Sequence, residues 1–126
     1  MKLAQARIVT DDAARLIGFY KALTGLGPAG DERYAEFHGP GLSLAISSQE
    51  ALDLYGAGAT RPRANQSMIL DFEVDDVDAE RTRLQALVGH FVLEPSTRPW
   101  GNRSMLFRDP DGNLINMYSV PRRAGE

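Results

Sequence analysis

The sequence predicts an α+β fold made of two tandem copies of one strand–helix–strands unit, and three observations carry that prediction. The first is an internal repeat. Ile8 to Gly25 (IVTDDAARLIGFYKALTG) laid over Phe72 to Gly89 (FEVDDVDAERTRLQALVG), a shift of 64 residues, is identical at five of eighteen positions. A repeat at about half the chain length of 126 residues points to a duplicated unit. The second is what the matches are. Asp11/Asp75 and Asp12/Asp76 are acidic N-terminal caps and Gly25/Gly89 is a C-terminal stop, with Ala22/Ala86 and Leu23/Leu87 between them. The third is context: each helix follows an alternating strand pattern and precedes strand-like segments broken at turn residues.

The elements follow in order. Ala6 and Ile8 alternate with Gln5, Arg7 and Val9, giving an opening strand with one face for a helix and the other turned elsewhere. Leu16, Phe19, Tyr20 and Leu23 recur at helical spacing, the apolar stripe of an amphipathic helix. Tyr34 to His38 and Leu42 to Ser47 read as strands around Gly39-Pro40-Gly41. Gln49 to Asn65 reads as a short helical piece, Glu50 to Tyr55, and then a Gly, Pro and Arg linker. In the second half Leu70, Phe72 and Val74 alternate with Ile69, Asp71 and Glu73. Arg103 to Arg108 and Leu114 to Ser119 are strands around Asp109-Pro110-Asp111-Gly112-Asn113. Phe37 and Pro40 match Phe107 and Pro110, so the repeat extends past the helices. The expected division is one domain over 1–126, with a first module at about 1–48, the linker at 49–65, a second module at about 66–120 and a frayed tail at 121–126.

Composition narrows the function classes. At 43% hydrophobic and 25% charged residues the chain has an ordinary globular composition. A net charge of −3 without a Lys/Arg cluster argues against a nucleic-acid partner. No run of 18 apolar residues and no signal-like N-terminus is present, so the expected setting is cytoplasmic with no membrane partner. There is no cysteine, hence no thiolate nucleophile or thiolate metal site. Neither His38 nor His90 has an assignable Ser and acid partner by position, and both read as surface or structural histidines. Asp109 to Asn113 reads as a tight turn and not a calcium loop, because no later bidentate Glu follows at EF-hand spacing.

FYKALTG closing the first helix, FEVDDVDAERTRL opening the second half and the terminal PWGNRSMLFRDPDGNLINMYS together resemble the vicinal oxygen chelate superfamily of glyoxalases, bleomycin-resistance proteins, fosfomycin-resistance enzymes and extradiol dioxygenases. The resemblance spans essentially the whole chain. It implies two tandem βαβββ modules forming a curved mixed sheet around a cleft, the glyoxalase/bleomycin-resistance fold, and it implies a homodimer. It does not by itself imply an activity, since one scaffold hosts several chemistries.

In the enzymes of that superfamily a metal in the cleft is held by His, Gln or Glu. Carried over by position, the first ligand falls on Gln5, fourteen residues before Phe19, and its repeat equivalent on Ile69. The last, two residues after the Leu of DPDGNL, falls on Asn116. The first-half counterpart falls in Leu42 to Ile46, with Ala45 the preferred position. Two neutral amides and two aliphatic side chains cannot supply the roughly three good ligands a catalytic divalent ion needs, so no cofactor is expected.

If the second strand faces line the cleft, they offer Gln5, Arg7, Ile69, Asp71, Asn116 and Tyr118 to a ligand. A pseudo-two-fold axis would set the repeat equivalents Arg7 and Asp71 opposite each other. As a functional pair these charges orient a polar ligand; as a structural pair they fix the strands. Glu73, Asp71 and Tyr118 are the candidates for acid/base work, Glu73 alternatively lying at a solvated strand end. Trp100, the sole tryptophan, is either an aromatic wall of the groove, as in bleomycin-resistance members with a similarly placed PWG, or a loop anchor. Tyr34, Phe37, Met105 and Phe107 read as core or interface. The expected function is binding of a small organic molecule in a metal-free cleft, in the manner of drug or toxic-metabolite sequestration. The alternatives are a metal-dependent or acid/base enzyme of lyase, isomerase, thiol-transferase or dioxygenase type, and a dimeric interaction module with a vestigial cleft.

Overall fold

The computed structural model describes residues 1–41 and 43–121. Leu42, in the expected second-strand segment, and the tail at 122–126 lie outside the described residues. The chain divides into two compact units between Ala64 and Asn65, inside the expected linker. No described helix is long and apolar enough to cross a membrane.

The first unit contains β1 (Gln5–Thr10), α1 (Ala13–Thr24), β2 (Ala29–Gly30), β3 (Tyr34–Phe37), β4 (Ser43–Ser48) and α2 (Gln49–Gly56). The second contains β5 (Ile69–Glu73), α3 (Val77–Val88), β6 (Phe91–Thr97), β7 (Arg103–Arg108) and β8 (Leu114–Ser119). Each unit forms a four-stranded mixed sheet with the same connectivity, β1-β4-β3-β2 and β5-β8-β7-β6. The opening and last strands run parallel at the sheet's side, and the others are antiparallel. This is the predicted pair of βαβββ modules, with α2 appended to the first.

The repeated residues act as the sequence predicts. Asp12 and Asp76 are the N-caps of α1 and α3, each accepting a hydrogen bond from the backbone N–H three residues on, at Arg15 and Ala79. This satisfies donors that a helix start otherwise leaves open. Gly25 and Gly89 end the helices at φ of +70° and +76°, their N–H groups bonding to the carbonyls of Lys21 and Gln85. Only glycine enters that region without steric cost. Ser48 caps α2 by accepting from the Ala51 N–H.

One face of each sheet packs on its helix. In the first module Leu16, Phe19, Tyr20 and Leu23 meet Ala35, Phe37 and Ile46, and the Tyr20 ring lies 6.5 Å from Phe37. In the second, Val77 and Leu84 meet Phe91, Met105, Phe107, Ile115 and Met117, with the Phe91 and Phe107 rings 5.8 Å apart and edge-on. Full burial of each large apolar side chain stabilises by about 1.5–3 kcal/mol. Phe37, Met105 and Phe107 are thus core, as expected.

The modules differ at their outer edges. β2 has two residues and β6 seven. Two strands were legible after each helix, and these edge strands were not, because Pro28 and Pro95 demote a strand reading. In the first module Gly30, at φ +125°, brings β2 so close to β3 that a Cβ there would lie 2.1 Å from the Tyr34 carbonyl. The turn between β7 and β8 confirms the structural reading. The Asp109 carboxylate accepts from the backbone N–H groups of Asp111 and Asn113, both at 2.9 Å, and from the Asn113 amide at 2.8 Å.

Candidate functional site

Strand alternation gives each sheet a second face, opposite the one that packs on α1 or α3. In the second module the register aligns Asp71, Asn116 and Leu106 across β5, β8 and β7, with Glu73, Tyr118 and Ser104 in the adjacent row. The hairpin joining β6 to β7 rises beside them, closed by the Arg98 N–H bonding to the Asn102 carbonyl and the Gly101 N–H to the Arg98 carbonyl. Face and hairpin bound a groove of about 460 Å³, within the volume range of small-molecule sites.

Five expected ligand-binding residues line this groove: Ile69, Asp71, Trp100, Asn116 and Tyr118. Trp100 lines the groove and is 70% exposed, in keeping with the wall reading. The Arg98 guanidinium lies 5.6 Å from the centre of its ring, within cation–π range. Arg98 also donates to the Ser96 hydroxyl at 3.2 Å. On the floor the Asn116 amide donates to Asp71 Oδ1 at 2.9 Å. Ile69, Leu93 and Leu106 give the groove apolar surface beside these polar groups.

Glu73 is exposed and does not line the groove; it accepts a long hydrogen bond of 3.4 Å from the Tyr118 hydroxyl. Burial, followed by the Glu73 charge, pushes the Tyr118 hydroxyl above its ordinary pKa. Tyr118 therefore stays protonated at neutral pH, with its hydroxyl donating to Glu73.

Sequence reasoning missed Arg98, Asn102, Ser104 and Leu106. For Ser104 and Leu106 a signal was available, since they stand two apart on β7 and so share a face, whereas Arg98 and Asn102 lie in the turn between β6 and β7, where strand parity does not apply.

Gln5 and Arg7 lie on the open face of the first module. Arg7 donates to the Tyr55 hydroxyl at 3.1 Å and sits 5.9 Å from the Tyr34 ring centre. Asp71 and Arg7 thus each have a polar partner within their own module. Gln5 donates to the Tyr34 hydroxyl at 3.1 Å, and Tyr34 donates to Glu36 Oε2 at 2.6 Å. Glu36 Oε1 lies 2.9 Å from His38 Nε2, and His38 Nδ1 lies 3.0 Å from the Ser43 hydroxyl. Two expectations are corrected here. Tyr34 is the hub of a polar network and not core, because its hydroxyl projects on the face away from α1. His38 does have serine and carboxylate partners, Ser43 and Glu36, because strand pairing joins residues whose relation no linear spacing announces.

Register also aligns the superfamily's ligand positions between modules. Asp71 pairs with Asn116, and its repeat equivalent Arg7 pairs with Ala45, which makes Ala45 the counterpart of Asn116. Gln5, Ala45, Ile69 and Asn116 offer two amide oxygens, a methyl and a branched alkyl group, and Asn116 is already turned toward Asp71. This donor set does not fit a catalytic divalent metal. Among the described residues no group of three or more His, Cys, Asp or Glu converges elsewhere.

A family model described as Glyoxalase/Bleomycin resistance protein/Dioxygenase superfamily matches residues 2–117. Bacillus subtilis (strain 168) has a relative, named Uncharacterized protein YraH, that is 30% identical over 95% of this chain and 99% of its own. The fold is similar to that of a glyoxalase/bleomycin resistance protein/dioxygenase family enzyme from Burkholderia phytofirmans PsJN, with a TM-score of 0.83 at 16% identity over 96% of this chain and 100% of the other. A lactoylglutathione lyase from Agrobacterium tumefaciens superposes with a TM-score of 0.69 at 24% identity over 94% and 92% of the two chains.

Proposed function

From the premise that this chain belongs to the glyoxalase/bleomycin resistance protein/dioxygenase superfamily, we propose that it binds a small organic molecule in the groove of its second module, without a metal. The observation that carries this reading is the exposed Trp100, stacked with Arg98, standing over a floor that mixes Ile69, Leu93 and Leu106 with the Asp71–Asn116 pair. A flat apolar group packs against the indole. Asp71 accepts from the ligand's N–H or O–H groups, and Arg98 donates to its oxygens. Sequestration of a drug or toxic metabolite needs no more than this. The metal-dependent enzyme reading finds no support in the donor set at Gln5, Ala45, Ile69 and Asn116.

The chain's only tryptophan supplies the test. Aromatic compounds carrying a hydrogen-bond donor, screened by Trp100 fluorescence, should quench or blue-shift the emission and raise the melting temperature. Ligand binding contributes about 2.7 kcal/mol at a hundredfold excess over Kd. The response should be the same after dialysis against a chelator. A response that chelation removes and one equivalent of divalent metal restores would overturn the metal-free reading. Homodimerisation and a cytoplasmic setting belong to the same proposal. The outward-facing Leu54 and Tyr55 of α2 support the dimer, and light scattering and cell fractionation test the two.

A further inference from the structure

We infer that the open face of the first module carries a second site, a serine–histidine–carboxylate relay in which Ser43 takes the acyl group of small carboxylic esters and passes it to water. All of its residues belong to the first module.

The geometry is built by strand pairing. Glu36 and His38 are two residues apart and so project on one face of the chain. β3 and β4 pair Phe37 with Leu44, and one step further along this register stand His38 and Ser43. The result is Ser43 Oγ at 3.0 Å from His38 Nδ1 and His38 Nε2 at 2.9 Å from Glu36 Oε1. The carboxylate is held from its other side, because the Tyr34 hydroxyl donates to Glu36 Oε2 at 2.6 Å while accepting from Gln5 at 3.1 Å. Gln5 is on β1 and Tyr34 on β3, with β4 between them. Their bond crosses over β4, where Ala45 and Ser47 are small enough to let it pass.

These contacts set the tautomer. The Tyr34 hydrogen bond, and then that of His38, hold the Glu36 carboxyl below its ordinary range. An ionised carboxylate only accepts, so His38 carries its proton on Nε2 toward Glu36. Nδ1 is then the acceptor for the Ser43 hydroxyl, which is the direction a general base requires. The usual triad attaches serine to Nε2 and the carboxylate to Nδ1. Here the two ring nitrogens exchange places, with the same connectivity. The His38 side chain is 57% exposed, which leaves the reacting end open to an ester.

In the reaction Ser43 Oγ bonds to the ester carbonyl carbon while its proton passes to His38. The bond from that carbon to the alkoxy oxygen breaks, and the leaving alcohol takes the proton from His38. Water repeats the sequence on acyl-Ser43 and releases the carboxylic acid. Ser43 and His38 are the catalytic residues; Glu36 and Tyr34 are positioning residues acting through them. The second module provides an internal contrast, because register sets Leu106, Arg108 and Leu114 where the first has Glu36, His38 and Ser43.

The intact protein is treated with a fluorophosphonate probe, whose phosphorus bonds to a serine oxygen as fluoride departs, and labelled peptides are mapped by mass spectrometry. The expected label is on Ser43, absent in Ser43→Ala, at least a hundredfold slower in His38→Ala and partly restored there by added imidazole. Glu36→Gln should slow labelling at least tenfold in the native background and leave the residual rate of His38→Ala unchanged, a pattern that structural damage would not produce. His38→Gln replaces His38→Ala if circular dichroism shows the latter unfolded. Labelling of Ser43 no faster than of exposed Ser67, or at the native rate in a folded His38 variant, overturns the proposal.

Discussion

The two modules share their connectivity, their cap residues and their helix lengths, yet their open faces have different character. The second presents a mixed floor, with Ile69, Leu93 and Leu106 beside Asp71 and Asn116, walled by Trp100. The first presents a chain of hydrogen bonds running from Gln5 through Tyr34 and Glu36 to His38 and Ser43. The frame-making residues repeat at a spacing of 64, whereas face residues at the same spacing do not: Gln5 against Ile69, Arg7 against Asp71 and Val9 against Glu73. Duplication keeps what makes strands and helices, because those residues answer to backbone physics common to both copies. The open faces are under no such common constraint, and the two copies carry different side chains there.

The largest expected effects lie in the shared part. Phe37→Ala and Phe107→Ala remove repeat-equivalent buried rings, and each should cost about 3–5 kcal/mol in denaturant unfolding. Costs that differ by several-fold would show that the two cores are not equivalent supports. On the divergent faces, Trp100→Ala should weaken ligand binding in the groove about tenfold or more, roughly 1.4 kcal/mol, while Ser43→Ala leaves it unchanged. Parallel isothermal titrations separate the two faces, and equal losses would merge them into one site.

The caps bring the comparison back to equality. Asp12→Ala and Asp76→Ala should each cost about 1 kcal/mol, read from thermal unfolding, because each removes the same bond to the first helical turn. The smallest effect concerns exposed ion pairs. Hydrogen bonding by Arg103, then its charge, lowers the Asp78 carboxyl, and Arg81 does the same to Glu94. A folded pKa below the unfolded one contributes stability that is present above the ordinary carboxylate range and lost as pH falls through the folded value. Stability should therefore decline below about pH 4. Asp78→Asn should flatten only a small part of that decline, since these side chains are solvent-screened. A steep loss between pH 6 and 5 would point to other groups.

Much of the frame was legible because its signals are local. Asp12 and Gly25 act within one helical turn of themselves, and the alternation around Phe72 needs only a neighbouring strand to take effect. The edge strands β2 and β6 were less legible, since β2 has only two residues, directly after Pro28, and β6 contains Pro95, which a strand tolerates where one side is unpaired. Within the candidate site, Trp100, Asp71 and Asn116 could be singled out from sequence because motif and parity both indicated them. Their partner Arg98 could not, because its role depends on a hairpin turning the guanidinium toward the indole.

The sequence by itself determined the duplication, the α+β class, the helix boundaries and which strand residues share a face. Each of these follows from short-range physics or from the chemistry of a residue type. Only the tertiary structure decided that Ala45 is the register counterpart of Asn116, that Trp100 lines the groove, and that Tyr34, Glu36, His38 and Ser43 form one connected chain. Those facts depend on which strands pair and in what register. The selection is made by burying the whole core at once, so no local stretch of sequence can express it.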